Sequence, residues 1–164
     1  MKKRLLLSAC CGIALLSLAG CDQKLSAGFR VGAQAPSLPT KTLADGGGDF
    51  SKVTTYRQPD SRMYQHSVDQ ALLMGKPVVL AFATPGHCNN CEQYIHMLTG
   101  ILNHYRDQIV IIHLDQYKNP QAFKAYYVMG DPWTFIIDKN RIVRFERPGR
   151  LLYGELDTAI KQVL

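Results

Sequence analysis

Two cysteines near the middle of the chain carry the clearest chemistry in the sequence. Cys88 and Cys91 stand two residues apart in the motif His-Cys-Asn-Asn-Cys. Thiols at this spacing can close a small disulfide, or exchange with another disulfide through a mixed intermediate. In such an exchange one cysteine attacks and the other resolves the intermediate. We assign the catalytic attack to Cys88 and the resolving role to Cys91, and expect His87 to modulate the Cys88 thiolate.

Two other uses of this cysteine pair stay open at this point. A structural zinc site would need two further ligands, and the sequence has no second cysteine pair at zinc-site spacing. We therefore predict no metal and no added cofactor. An inert structural disulfide would use the same two residues as an active one.

The pair lies where a buried strand is expected to turn into a helix. Val78–Ala83 is a continuous apolar run with β-branched residues, which predicts a buried strand. Thr84–His87 follows as a turn. Apolar residues then recur with a 3.6-residue period, which predicts a helix from about Cys88 to Tyr105. Cys88 would thus lie at the amino end of the helix, where free N–H groups and the helix dipole favour a thiolate.

Strands and helices alternate through the rest of the chain. The predicted segments are helices over 67–74, 120–127 and 151–164, strands over 109–114, 133–137 and 141–146, and a hairpin turn over 138–140. This order predicts an α/β sandwich with parallel and antiparallel strand pairs. Residues 21–60 are rich in Pro and Gly and are expected to form a tether and an irregular N-terminal segment, with the folded domain over 61–164.

The composition is that of one globular domain. The chain has 164 residues, of which 46% are hydrophobic and 20% charged. Its net charge is +6, but setting aside Lys2, Lys3 and Arg4 leaves 16 basic against 13 acidic residues. No Lys/Arg run with interleaved aromatic residues is present, so we expect no nucleic-acid partner.

The N-terminal segment has the pattern of an export signal. Lys2–Arg4 is basic and Leu5–Ala19 is apolar and uncharged. Roughly fifteen apolar residues fall short of the about 20 that a membrane-spanning helix needs, but they suit a secretory signal. Leu18–Cys21, with the sequence Leu-Ala-Gly-Cys, resembles the bacterial lipobox, in which the cysteine is acylated. We therefore expect a lipoprotein signal peptide over residues 1–20 and a lipid anchor on Cys21.

The expected location follows from this anchor. Asp22, directly after the lipidated cysteine, resembles the inner-membrane signal of enterobacterial lipoproteins. The chain is then expected on the periplasmic side of a bacterial membrane, most simply the inner one. The two cysteines inside the signal leave with it, so Cys88 and Cys91 keep the free thiols in an oxidising compartment.

The strand, the cysteine motif and a downstream proline together resemble the thioredoxin superfamily. The matching segments are Pro77–Phe82, Cys88–Cys91 and Gly130–Phe135. In that family a cis-proline ahead of a strand faces the active-site cysteines, and Pro132 occupies the matching position. Val31–Pro36 resembles the opening of the membrane-anchored periplasmic branch. The resemblance implies a thioredoxin-like three-layer sandwich, disulfide oxidoreductase activity, and a substrate groove to which Pro132 and Trp133 contribute.

The chain departs from the family pattern at two places. The familiar Trp-Cys-Gly-Pro-Cys is His-Cys-Asn-Asn-Cys here, which changes the groups around the Cys88 sulfur. The buried acid that relays protons to the resolving cysteine falls at Ala81, so that position is vacant, with Glu92 or a water as substitutes. The direction of electron flow is therefore not transferable from the family.

Two functions are consistent with these features. The first is a lipid-anchored periplasmic thiol–disulfide oxidoreductase that acts on exported proteins with thiols or disulfides and exchanges electrons with a membrane redox donor or acceptor. The second is a thioredoxin-like copper chaperone or assembly factor without turnover, suggested by the Thr84-Pro85 turn, which resembles turns of copper-handling relatives. Those relatives use a Cys-x-x-x-Cys pair, one residue longer than the pair in this chain.

The lipid anchor can be tested directly in cells. Cys21→Ala should abolish labelling by a fatty acid and release the protein from the membrane fraction, because the acylated residue is gone. Cys10→Ala, which follows a weaker lipobox-like segment, is the control and should label and fractionate as the wild type does. Retention of Cys21→Ala in membranes after a high-salt wash would refute the lipobox.

Overall fold

The computed structural model describes residues 30–164, so the expected signal peptide and Cys21 lie outside the described residues. The helices and strands are α1 (Val68–Leu72), β1 (Val78–Phe82), α2 (Cys91–Tyr105), β2 (Val110–Leu114), α3 (Pro120–Ala125), β3 (Trp133–Ile137), β4 (Val143–Pro148) and α4 (Tyr153–Lys161). Short 3-10 helices cover Phe50–Lys52, Ser61–Tyr64 and Arg106–Gln108. Within residues 30–164, no helix is both long and apolar enough to cross a membrane.

The strand that leads to the cysteines, β1, lies in the middle of the sheet. Each of its side chains is 0% exposed. It pairs in parallel with β2 on one side and antiparallel with β3 on the other. β4 pairs antiparallel with β3, which gives the order β2-β1-β3-β4. A strand covered on both faces requires a continuous apolar sequence, and the prediction of a buried strand in a mixed sheet is confirmed.

Alternate side chains of the sheet enter two separate apolar cores. On one face, Val79 and Ala81 of β1 belong to the core formed with α2 and α4. On the other face, Leu80 and Phe82 belong to the core formed with α1 and α3. Helices therefore cover both faces, and the molecule is the three-layer α/β sandwich that the sequence predicts. The cysteine pair lies on the α2 face.

The segment ahead of α1 has no long helix or strand, yet it is packed onto the domain. Ala35 and Val53 are buried. The Ala35 N–H donates to the carbonyl of Arg141 (2.8 Å). The backbone N–H and the hydroxyl of Thr55 donate to the Asp115 carboxylate, at 2.7 and 2.6 Å. From Ala35 onward, the segment expected to be a tether and irregular structure is thus part of the folded unit.

The carboxyl-terminal elements are shorter than predicted or begin later. β4 starts at Val143 rather than at Arg141, because Arg141 has a positive φ (65°) that belongs to the turn. The last helix covers Tyr153–Lys161 only. Leu152, predicted to lie on its apolar side, precedes the helix and is 58% exposed.

Asp138 organises the turn between β3 and β4. Its carboxylate accepts the N–H groups of Asn140 (2.8 Å) and Ile142 (3.0 Å) and the Nε–H of Arg144 (2.7 Å). Burial opposes ionisation of this group, but the hydrogen bonds from Ile142, Arg144 and Asn140 outweigh it and hold the pKa of Asp138 below its usual range. The turn that sets the register of β3 against β4 therefore uses an ionised carboxylate.

Replacing this carboxylate should make stability less dependent on pH. Asp138→Asn should lower the free energy of unfolding by about 1–2 kcal/mol at neutral pH, because charged hydrogen bonds are lost. Since the folded-state pKa is depressed, the contribution of Asp138 is present above the unfolded pKa of about 3.9 and is lost as pH falls through the folded pKa.

Urea unfolding across this acidic range measures the effect. The difference between wild type and variant should shrink as the pH falls below about 4. Asp107→Asn, which changes an exposed acid, is the matched control and should cost little. A difference that stays constant across the range would contradict this role of Asp138.

Candidate functional site

Cys88 and Cys91 form a disulfide at the carboxyl end of the central strand. Their Cα atoms are 5.4 Å apart. Cys91 is 0% exposed and packs in the core under α2, whereas Cys88 is half-buried at the edge of that core. The two sulfurs therefore differ in access, and an incoming thiol meets the Cys88 side of the bond more readily.

Hydrogen bonds to β2, to the loop after β2 and within the turn itself hold the turn between β1 and α2 in place. The Ala83 N–H donates to the carbonyl of Leu114 (3.0 Å), which continues the pairing with β2 beyond β1. The buried Thr84 hydroxyl accepts the N–H of Gln116 (3.1 Å), and the Thr84 carbonyl accepts the N–H of His87 (3.0 Å). Gly86 has a φ of 90°, a conformation that glycine adopts without strain. These contacts fix where the chain presents Cys88.

The predicted start of the helix at Cys88 is wrong. α2 begins at Cys91, because the Tyr94 N–H donates to the carbonyl of Asn90 (2.9 Å), which acts as the N-cap residue. Cys88 lies in the preceding turn. Its sulfur is nevertheless bonded to that of Cys91, the first residue of the helix, so the pair still lies at the amino end, where the helix dipole favours negative charge.

His87, expected to modulate the thiolate, is tied to two distant loops. Its Nε2 hydrogen-bonds with the Tyr117 hydroxyl (2.9 Å), and the two rings meet edge to face at 5.0 Å. Its Nδ1 lies 3.5 Å from Oδ2 of Asp131, and the imidazole is 30% exposed. The ring thus bridges the loop after β2 and the loop before β3, immediately next to Cys88 in the chain.

Pro132 lies in the loop that His87 contacts. The Asp131–Pro132 peptide bond is cis, as the resemblance implies. Pro132 is buried, and its carbonyl accepts the N–H of Gly149 (2.8 Å). The contact of His87 with Asp131 places this loop beside the cysteine turn.

Trp133, expected in the substrate groove, is not brought to the cysteines. Its side chain belongs to the core formed with α1 and α3, on the face of the sheet opposite Cys91. The residue is 6% exposed, its ring stacks on Phe135, and its Nε1–H donates to Glu146 (3.2 Å). Because successive side chains of a strand alternate between faces, the residue after Pro132 points into the far core.

Ala81, which occupies the position of the family's buried acid, lies beside a buried histidine. Ala81 pairs with His113 of β2 in the sheet register. His113 is 2% exposed, and burial lowers its pKa, so the ring is neutral. Its Nε2–H donates to the carbonyl of Ala83 (2.7 Å), and its Nδ1 accepts the hydroxyl of Tyr64 (2.7 Å). Glu92, the substitute acid suggested by the sequence, is exposed.

Sequence reasoning missed two residues of this site, Tyr117 and Asp131. Asp131 carries a signal in hindsight, since it directly precedes the proline that the family resemblance singled out. Tyr117 carries none, because it is 30 residues from His87 and only the folding of the loop after β2 brings it there.

A buried hydrogen bond joins the cysteine helix to the strand that follows Pro132. The hydroxyl of Tyr94, on α2, bonds to the hydroxyl of Thr134, on β3. Both side chains are 0% exposed. Burial raises the pKa of Tyr94, so this hydroxyl stays protonated. The hydrogen bond fixes the position of α2 relative to β3. Tyr94 lies one turn after Cys91, and Thr134 lies two residues after Pro132.

Within the described part of the chain, no cluster of three or more His, Cys, Asp or Glu side chains is placed to hold a metal ion. Cys21, the expected lipidation site, lies among the residues that the structure does not describe.

Comparison with known proteins supports the fold through structure alone. No protein-family model and no curated sequence matches the chain. Among solved structures, 261 chains match. One is a malarial protein, 19% identical with a TM-score of 0.51, the match covering 54% of this chain and 98% of that chain. Another is a thioredoxin from Fasciola hepatica, 17% identical with a TM-score of 0.49, covering 55% of this chain and 83% of that chain.

Structural similarity at such low sequence identity supports the fold alone. The four-stranded mixed sheet, its order β2-β1-β3-β4 and the helices on both faces are features of this chain itself. The protein therefore has a three-layer α/β sandwich fold similar to that of the malarial protein, with a disulfide-forming Cys88–Cys91 pair at the end of its central strand.

Proposed function

We propose that this protein is a thiol–disulfide oxidoreductase that exchanges electrons with the cysteines of exported proteins through Cys88 and Cys91. The observation that carries the proposal is the asymmetric disulfide, in which a half-buried cysteine is bonded to a fully buried one. Attack on a disulfide requires access to one sulfur, and the other then leaves. Cys88 is thus the exchanging residue and Cys91 the resolving one.

The reaction is two successive exchanges. A substrate thiolate attacks the sulfur of Cys88, the bond between the two cysteines breaks, and Cys91 leaves with the electron pair and takes up a proton. In the mixed disulfide, the first substrate sulfur is bonded to Cys88. The second substrate thiolate attacks that substrate sulfur and releases Cys88 as a thiolate. The substrate is oxidised by two electrons to a disulfide, and the protein is reduced. The reverse sequence reduces a substrate disulfide.

Exposed apolar side chains in the loops that contact His87 support a polypeptide substrate. Tyr117, which contacts His87, is 65% exposed. Met129, two residues ahead of Asp131, is 83% exposed. Aromatic residues and methionine are enriched where proteins dock on one another, and these two side chains lie in the two loops that contact His87.

The location is proposed from the sequence. The lipobox-like segment ending at Cys21 and the preceding export signal support a lipid-anchored protein on the periplasmic side of a bacterial membrane, with Asp22 favouring the inner one. An oxidising compartment suits a disulfide that cycles with exported proteins. A membrane redox donor or acceptor would then restore the pair after each turnover. The copper-chaperone alternative rests on the Thr84-Pro85 turn, and the Cys88–Cys91 spacing is one residue shorter than in the copper-handling relatives.

Single cysteine variants should separate the two roles. Cys91→Ala should trap partner proteins as mixed disulfides on Cys88, because no thiol remains to resolve them. Cys88→Ala, the matched control, should trap few partners and abolish turnover. In the reduced wild type, Cys88 should be alkylated first at mildly acidic pH, because it is the more exposed thiol. Peptide mass mapping and non-reducing gels measure these outcomes.

The opposite order of labelling, or full activity in both single variants, would refute the assignment. Complete inertness of both thiols would favour a structural disulfide. The equilibrium of the pair with glutathione, measured on the same preparations, decides whether the protein works as an oxidant or a reductant.

A further inference from the structure

Asp131 is an unusual group at this site, because it is buried and incompletely bonded. Its side chain is 6% exposed. Its Oδ2 has no hydrogen-bond partner within the described residues. A buried carboxylate oxygen without a hydrogen-bond partner is unfavourable, so such groups are rare unless a nearby cation or a functional role accounts for them. The nearest basic group is His87, whose Nδ1 lies 3.5 Å from that oxygen.

The geometry leaves His87 little freedom to turn away from this carboxylate. Its Nε2 is engaged by the Tyr117 hydroxyl at 2.9 Å, and the Tyr117 ring packs edge-on against the imidazole. Its backbone N–H is engaged by the Thr84 carbonyl. With one ring nitrogen held by Tyr117, the other faces Asp131. The imidazole of the residue directly before Cys88 is thus held between two loops.

The other titratable groups near this cluster are either hydrogen-bonded elsewhere or exposed to solvent. His113 of β2 is buried with both ring nitrogens hydrogen-bonded, and the charges of Asp115 and Asp131 only partly offset the burial that lowers its pKa. Asp115 accepts hydrogen bonds from Thr55 and from the Tyr117 N–H. Glu92, in the first turn of α2, is exposed to solvent. Asp131 is thus the buried acid that faces His87.

We propose that Asp131 is a positioning residue that acts through His87 to stabilise the Cys88 thiolate in the reduced protein. This inference rests on the proposed oxidoreductase function. Asp131 orients the imidazole of the residue next to Cys88, and an imidazole in this position supports negative charge on that cysteine. The buried acid of this chain thus comes from the loop before β3, and it acts on the exchanging cysteine, in place of an acid at Ala81 that would serve the resolving one.

The protons of the reaction can be followed on this arrangement. When the disulfide is reduced by a substrate dithiol, two thiols are converted to a substrate disulfide and give up two protons. One proton goes to Cys91, which leaves as a thiolate and becomes a thiol. The other is released to solvent, and Cys88 is left as a thiolate. In the reverse direction, Cys88 attacks as the thiolate already present, and no proton has to leave it first.

The test is the pH profile of Cys88 alkylation by iodoacetamide in the reduced protein. Relative to wild type, Asp131→Asn should slow alkylation about five- to tenfold at pH 6, because a smaller fraction of Cys88 is ionised. At pH 9 the rates should converge, because the thiol then ionises without help. His87→Gln should show the same fall, and the double variant should fall no further, because both residues act through one contact.

The control is Asp107→Asn, which removes the same charge in the 3-10 helix that follows α2, about 20 Å away along that 15-residue helix. It should leave the profile unchanged. Thermal unfolding of the oxidised forms reports any purely structural effect of Asp131→Asn, which would shift the melting temperature without moving the alkylation profile. If Asp131→Asn fails to fold, His87→Gln alone carries the test.

A wild-type alkylation rate at pH 6 in Asp131→Asn or in His87→Gln would overturn the inference, and so would additive effects in the double variant. Because alkylation needs no turnover, the role of Asp131 and the oxidoreductase function can be refuted independently of each other. A wild-type protein that exchanges no disulfides would refute the oxidoreductase function. An active protein whose Asp131→Asn variant keeps the wild-type profile would refute only the role of Asp131.

Discussion

The complete burial of β1 is the constraint on which the rest of the molecule depends. A strand that is hydrogen-bonded on both edges and covered on both faces cannot shift along its neighbours without exposing apolar side chains or breaking the ladder. Its carboxyl end is therefore fixed relative to β2 and β3. Because Thr84 is also bonded to the loop after β2, the turn that carries Cys88 starts from a fixed point.

The site is assembled from three loops that this strand brings to one edge of the sheet. Since β2 runs parallel to β1 and β3 runs antiparallel, the end of β1, the end of β2 and the beginning of β3 lie side by side. His87, Tyr117 and Asp131 come from these three places and meet through one imidazole ring. The bond between Tyr94 and Thr134 sets the cysteine helix against the same edge.

Charge around the disulfide is arranged differently from what the sequence pattern suggested. Ala81, the position that matches the buried acid of the family the sequence resembles, is small and apolar, and a neutral His113 lies opposite it in the ladder. The buried carboxylate lies instead on Asp131, in contact with the residue before Cys88. On the proposed mechanism, electrostatic support therefore reaches the half-buried Cys88, and the buried Cys91 is surrounded mainly by apolar side chains.

The sequence by itself was sufficient for the features that local patterns encode. The apolar run of β1, the helical period after Cys91 and the spacing of the two cysteines predicted the mixed sheet, the sandwich and the disulfide-forming pair, because burial and short-range geometry determine them. Only the tertiary structure decided that α2 begins at Cys91, that the indole of Trp133 enters the far core, and that Asp131 and Tyr117 meet at His87. Helix starts depend on single backbone hydrogen bonds, side-chain direction depends on strand register, and contacts between loops depend on how distant segments pack. None of these leaves a periodic signal in the chain.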